Sequence, residues 1–226
     1  MITDKIIGIC PTYEDYDCLK VTTSKVLEFV NEMIYIDGPF HNFPLKNKVS
    51  QDNTRNFLKE FDKVHLLDAG LCYMQDKINM AFHLASKLEY KYVILLGSDE
   101  WIEGDMKKFL ANLEKLYEND LNPKIIDVDF QETNPHGKWN RELKQITRVF
   151  ANPTWIRARF AHWFFSLYSR ETPDSSTFVQ GITINHNDLL RTTERNQLME
   201  KYQDVNVHRE REIIHKIIEK QVNTSI

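Results

Sequence analysis

The stretch KYVILLGSDEWIEGD, residues 91–105, constrains this chain more than any other. Tyr92 to Leu96 is an unbroken apolar run, β-branched at Val93 and Ile94. Such a run reads as a strand covered on both faces, the usual state in a parallel sheet. Gly97, Ser98, Asp99 and Glu100 then set two carboxylates just past the strand's end. Gly104-Asp105 opens an amphipathic helix whose apolar side carries Met106, Phe109, Leu110, Leu113, Leu116 and Tyr117. In open α/β sheets, ligands bind in the crevice beyond the carboxyl ends of the strands. Acidic residues there suit a hard cation such as Mg2+ or Mn2+, which is commonly shared with phosphate oxygens. The plainer alternative is a turn that only caps the next helix.

The preceding residues repeat this pattern. Apolar runs at Lys5–Cys10, Met33–Ile36 and Val64–Leu67 read as strands, with Pro11 expected to stop the first. Helices are expected at Cys18–Asn31, Thr54–Phe61 and Gln75–Leu88. The last has Ile78, Ala81, Phe82, Ala85 and Leu88 in one stripe. Alternating strands and helices predict an α/β fold: a mostly parallel central sheet with flanking helices. Four strand ends then carry polar or acidic loops: Thr12–Asp15, Asp37, Asp68 and Asp99-Glu100. Lys77, near the start of its helix, suits an anion, although locally it reads as a solvated surface lysine. No glycine-rich dinucleotide fingerprint and no P-loop pattern are present.

The second half is organised differently. Strands are expected at Ile125–Phe130, Gln145–Phe150 and Thr177–Ile184, making a smaller mixed half. Trp155–Tyr168 is rich in aromatics, and core packing is its default reading. Helices are expected over Asp188–Gln203 and about Val207–Val222. The expected organisation is one domain, with a first half over 1–103, a second half over 104–187 and C-terminal helices over 188–226.

Hydrophobic residues make up 42% of the 226, enough for one large α/β domain or two small ones. The 29 Lys and Arg against 33 Asp and Glu give a net charge of −4, so no nucleic-acid surface is expected. Cys10, Cys18 and Cys72 lack metal-type spacing and fit packed thiols in a reducing compartment. No apolar run approaches a membrane span and no signal-peptide pattern opens the chain, so a cytoplasmic protein is expected, with a peripheral membrane association left open.

Four segments, ICPTYED, IYIDG, DKINMAFHLASKLEYKYVILLGSDE and ITRVFANP with the later GITINH, resemble nucleotide-sugar glycosyltransferases of the GT-A fold, close to the inverting family-2 group. Together they span most of residues 5–190. The resemblance implies a glycosyltransferase that takes a nucleotide-sugar, most simply a UDP-sugar, and a divalent cation, Mn2+ or Mg2+. It implies nucleotide-sugar contacts from Pro11, Thr12, Tyr13, Lys77, Ser98 and Asp99, with Asp37 reading the nucleobase. The family's Asp-x-Asp falls on Gly97-Ser98-Asp99, so its first aspartate is absent. The acidic residue that follows a histidine in related enzymes is replaced by Trp163, after His162. His162, by this match, and Asp129, near the end of its strand, are the candidate catalytic bases. Asp99 with His186, in the polar trio Asn185-His186-Asn187, is the candidate metal pair. The acceptor, whether glycan, lipid or protein, is not specified. Two alternatives remain: a nucleotidyltransferase of nucleotide-sugar synthesis, disfavoured by PTYED in place of a glycine- and arginine-rich loop, and a degenerate non-catalytic binding module.

Overall fold

The computed structural model describes residues 6–40, 43, 47–119, 121, 124–132, 144–159, 164–167, 176–193 and 197. In chain order these form β1 (Ile6–Thr12), α1 (Tyr16–Leu27), β2 (Glu32–Asp37), α2 (Thr54–Leu58), β3 (Val64–Asp68), α3 (Met74–Lys87), β4 (Tyr92–Leu95) and β5 (Glu100–Gly104). Then follow α4 (Met106–Glu118), β6 (Ile125–Glu132), β7 (Lys144–Ala151), β8 (Ile156–Arg159), β9 (Phe164–Leu167) and β10 (Thr177–His186). Beyond β10, Asp188–Leu190 makes a single 3-10 turn where an α-helix was expected to begin. The rest of both expected C-terminal helices lies almost wholly outside the described residues.

Eight strands form one sheet in the order β3-β2-β1-β4-β7-β6-β10-β5, and β8 and β9 pair as a separate hairpin. The first four strands are parallel, as are β6 and β10; β7 and β5 run antiparallel to their neighbours. This is the mostly parallel α/β architecture expected, consistent with a GT-A fold. Alternate residues of the central strands feed two cores. Ile6, Cys10, Met33, Tyr35, Tyr92 and Ile94 pack in the core that holds α1 and α4. Ile7, Ile9, Ile34, Ile36, Val93 and Leu95 pack in the core that holds α3. A strand buried on both faces needs apolar side chains at every position, which is why these runs are continuous.

Pro11 does not stop β1, contrary to expectation. The pairing of β1 with β4 ends at Ile9 and Leu95, while the pairing with β2 continues through Pro11 and Thr12. A residue without an N–H is tolerated where one side of the strand has no partner.

The segment EWIEG, to which the sequence assigned no element, is β5, paired with β10 at the far edge of the sheet. β4 ends at Leu95 and β5 begins at Glu100. Five peptide units reach at most about 18 Å, whereas four inter-strand steps in a flat sheet take about 19 Å. The second half must therefore curl until its edge returns towards β4. Two contacts record the curl: Glu100 Oε1 accepts from Arg148 of β7 at 2.7 Å, and Lys25 of α1 lies 4.3 Å over the Trp101 ring. β10 bends where its register against β6 shifts between Phe178 and Thr183. At that bend α4 lies directly on Gly181, whose φ is +138° and whose added Cβ would fall 2.6 Å from the Phe109 backbone.

Lys77 is fully buried near the start of α3, which overturns the surface reading. Its ammonium donates to the Gly38 carbonyl and lies 4.1 Å from the Phe40 ring centroid. It thereby fastens α3 to the turn after β2. Burial pushes its pKa down to about 8, opposed by the nearby Cys72, Asp37, Asp15 and Cys10. Among the described residues no helix is long and apolar enough to cross a membrane.

Two outcomes follow for stability. Gly181→Ala should cost about 3 kcal/mol in denaturant unfolding, from a clash with backbone added to an unfavourable φ. For Lys77 the folded pKa lies below the unfolded one, so the unfolded state binds more protons between these values and stability rises with pH there. Relative to Lys77→Met, the wild type should gain about 2 kcal/mol from pH 7 to pH 10. A difference between the two proteins that stays constant over this range would show that Lys77 is not depressed.

Candidate functional site

The crevice follows from strand order. β1 has β2 on one side and β4 on the other, and α1 and α3 cover opposite faces. The loops after β1 and β4 therefore diverge, leaving a cleft at the strands' carboxyl ends. Curling brings the end of β10 to the same rim.

Asp99 sits in the turn after β4 with only 2% exposure, and its Oδ2 lies 3.0 Å from His186 Nε2. The same oxygen is held by Arg191. A second guanidinium nitrogen of Arg191 donates to Ser98 Oγ at 3.3 Å. The backbone reinforces this junction, since Asn187 N–H donates to the Asp99 carbonyl at 3.1 Å and Thr22 Oγ1 of α1 donates to the Ser98 carbonyl at 2.9 Å. Burial alone would raise the Asp99 pKa, but Arg191 and the bond to His186 outweigh it and hold the carboxyl below its ordinary range. His186 is the last residue of β10, stacks on Phe130 of β6 and has Nδ1 3.7 Å from Glu132 Oε1. Glu100 is occupied: Oε1 accepts from Arg148, and Oε2 accepts from the Gly97 N–H at 2.7 Å.

The two expected metal ligands are thus adjacent. Cis ligands of an octahedral cation at about 2.1 Å lie about 3 Å apart, which the Asp99–His186 separation matches. Among the described residues no three His, Cys, Asp or Glu side chains form a complete protein cage. By donor chemistry the pair fits a cation that takes two ligands from protein and the remainder from phosphate and water, while in this structure Arg191 holds the carboxylate oxygen that such a cation would use.

The β1–β2 side is more closed than the sequence suggested. Asp37 is fully buried. It accepts from Ser50 N–H at 3.1 Å, from Ser50 Oγ at 2.6 Å and from Arg55 at 2.7 Å. Arg55 also bridges to Asp68 at 2.6 Å. The carboxylate expected to read a nucleobase is instead committed to the segment that folds over it. Tyr13, expected to contact the nucleotide-sugar, is fully buried, meets Phe43 edge-on and donates to the Asn47 carbonyl at 3.2 Å. Thr12 Oγ1 donates to Asp15 at 3.1 Å, which tightens the turn after β1. Lys77 lies buried under the β2 turn and presents no open contact in this conformation, whereas Pro11, within β1, is part-exposed.

Asp129 is not brought to the metal pair. It stands three residues before Glu132 on β6, opposite Thr183, while Glu132 is opposite His186. Three residues along a strand are about 10 Å, and an odd spacing turns the side chain to the other face. Burial raises its pKa. His162 lies outside the described residues. Sequence reasoning missed Arg191, Arg148 and Glu132. The usable signal for Arg191 was its place just beyond His186: a strand that ends at the crevice delivers its next few residues there too.

No protein-family model matches this sequence, and no curated protein matches it significantly. Among solved structures it is similar to residues 1–349 of TarS from S. aureus, with a TM-score of 0.43 and 14% identity, over 66% of this chain and 47% of that one. It is also similar to a 4-diphosphocytidyl-2C-methyl-D-erythritol synthase, with a TM-score of 0.46 and 10% identity, over 78% of this chain and 90% of that one. A third similar structure is a CMP:2-keto-3-deoxy-manno-octonic acid synthetase complexed with CTP, with a TM-score of 0.36 and 10% identity, over 66% of this chain and 75% of that one. The chain spans about half the length of the TarS chain it matches.

Proposed function

We propose that this chain is a glycosyltransferase that moves a sugar from a nucleotide-sugar, a UDP-sugar, to an acceptor hydroxyl with inversion, using Mn2+ or Mg2+ at Asp99 and His186. The observation that carries this reading is the Asp99–His186 pair at the carboxyl ends of β4 and β10, with donors 3.0 Å apart. When bound, the cation would act as a Lewis acid toward the leaving diphosphate. Imidazole beside carboxylate and phosphate oxygens suits Mn2+ better than Mg2+.

The remaining chemistry belongs to the chain. The bond from the anomeric carbon to the diphosphate breaks, the acceptor oxygen bonds to that carbon, and the acceptor proton must go to a base. Glu132 replaces Asp129 as the base in this proposal. It is partly exposed beside His186, and Lys144 holds its carboxylate at 2.9 Å. Asp37 serves as the anchor of Ser50 and Arg55, which sets the wall of the nucleotide side, instead of reading the base directly.

A second reading, a binding module without catalysis, draws on Arg191 already neutralising Asp99. Calorimetry tests the nucleotide site that the two readings share, and turnover separates them. Wild-type protein should bind UDP in the presence of Mn2+, and Asp99→Asn should weaken that binding by about 1.5–3 kcal/mol, at a temperature where circular dichroism shows both folded. No binding at millimolar UDP with Mn2+ would reject any nucleotide site here. Glu132→Gln should lower turnover by about a hundred-fold or more with KM little changed, whereas Asp129→Asn should keep near-normal turnover. His162→Ala belongs in the same assay, and a loss confined to that variant would move the role of base to His162.

A further inference from the structure

Arg191 is the residue at this site that the proposed chemistry leaves unexplained. Its guanidinium contacts the same carboxylate oxygen of Asp99 that His186 approaches at 3.0 Å. A cation bridging Asp99 and His186 would have to share that oxygen with a positive charge already in place. The local charges are also balanced. Asp99 is paired with Arg191, and Glu100 with Arg148, each with its carboxylate almost fully buried. A divalent ion added to this arrangement would bring two uncompensated charges into a poorly solvated site, which is strongly unfavourable. Arg191 follows the short turn Asp188–Leu190, its side chain is 13% exposed, and its contact to Ser98 Oγ is long at 3.3 Å.

We infer that Arg191 is an internal counter-cation that occupies the cation position at Asp99 and must leave it before a divalent ion binds there. This rests on the reading of Asp99 and His186 as a cation site. The displaced guanidinium then stands at the rim, where a nucleoside diphosphate supplies the negative charge that both cations need. Cation and nucleoside diphosphate therefore arrive together, and the free protein holds the cation weakly.

The experiment is a titration with Mn2+ alone, followed by the fall in the free-Mn2+ electron paramagnetic resonance signal, on wild type, Arg191→Ala, Arg191→Lys and Asp99→Asn. Arg191→Ala should bind Mn2+ about ten-fold or more tightly than wild type, within the usual range of coupling between sites. Arg191→Lys, which keeps the charge, should stay near wild type, and Arg191→Ala combined with Asp99→Asn should lose the gain. Equal Mn2+ affinity in wild type and Arg191→Ala overturns the inference. If Arg191→Ala does not fold, Arg191→Gln takes its place under the same criteria. UDP added with Mn2+ tests the underlying reading separately. Binding by wild type without a gain in Arg191→Ala leaves the nucleotide site standing and removes the role of Arg191. A gain in Arg191→Ala without UDP binding does the reverse.

Discussion

The buried carboxylate of Asp99 organises the second half of this molecule. At 2% exposure an ionised carboxylate without counter-charges would be untenable. Its two partners, His186 and Arg191, come from about ninety residues further along the chain. For them to reach it, β10 must run its full length to the crevice rim, and the sheet must curl to bring that rim beside β4. The hydrogen bond from Asn187 N–H to the Asp99 carbonyl makes the same junction in the backbone. Charge compensation and chain path therefore require one another.

Much of the scaffold was legible, for a physical reason. β1, β2 and β4 are buried on both faces, so their sequences are apolar at nearly every position and stand out without any knowledge of neighbours. β5 was hidden for the opposite reason. EWIEG has charges at both ends of a single Trp-Ile pair, lies between a turn signal and a helix start, and becomes a strand only because β10 pairs with it. Such tertiary pairing overrides local preference. Lys77 was misread because its amphipathic side chain looks the same locally whether solvated or buried. Only the Gly38 carbonyl, 39 residues away, decides.

The candidate site divides in the same way. Asp99 lies just past one strand and His186 ends another, and strand ends of an α/β sheet share a rim, so their meeting could be anticipated from the sequence. The fate of Asp37 could not. Its partners Ser50 and Arg55 lie 13 and 18 residues on, past an irregular stretch that carries no period. Glu132 was hidden by its neighbour: the pattern IIDVDF drew attention to Asp129, and strand alternation turns that side chain away from the imidazole.

The link between β4 and β5 is a turn closed on itself: the Glu100 N–H donates to the Gly97 carbonyl at 3.2 Å, and the Gly97 N–H donates to Glu100 Oε2 at 2.7 Å. A turn tied by its own hydrogen bonds makes a poor hinge. Asp99, held within it, is the fixed jaw of the crevice, and Arg191, just past the end of β10, faces it from the other side. Whatever enters the crevice is then aligned against a carboxylate whose position is set by the turn that carries it.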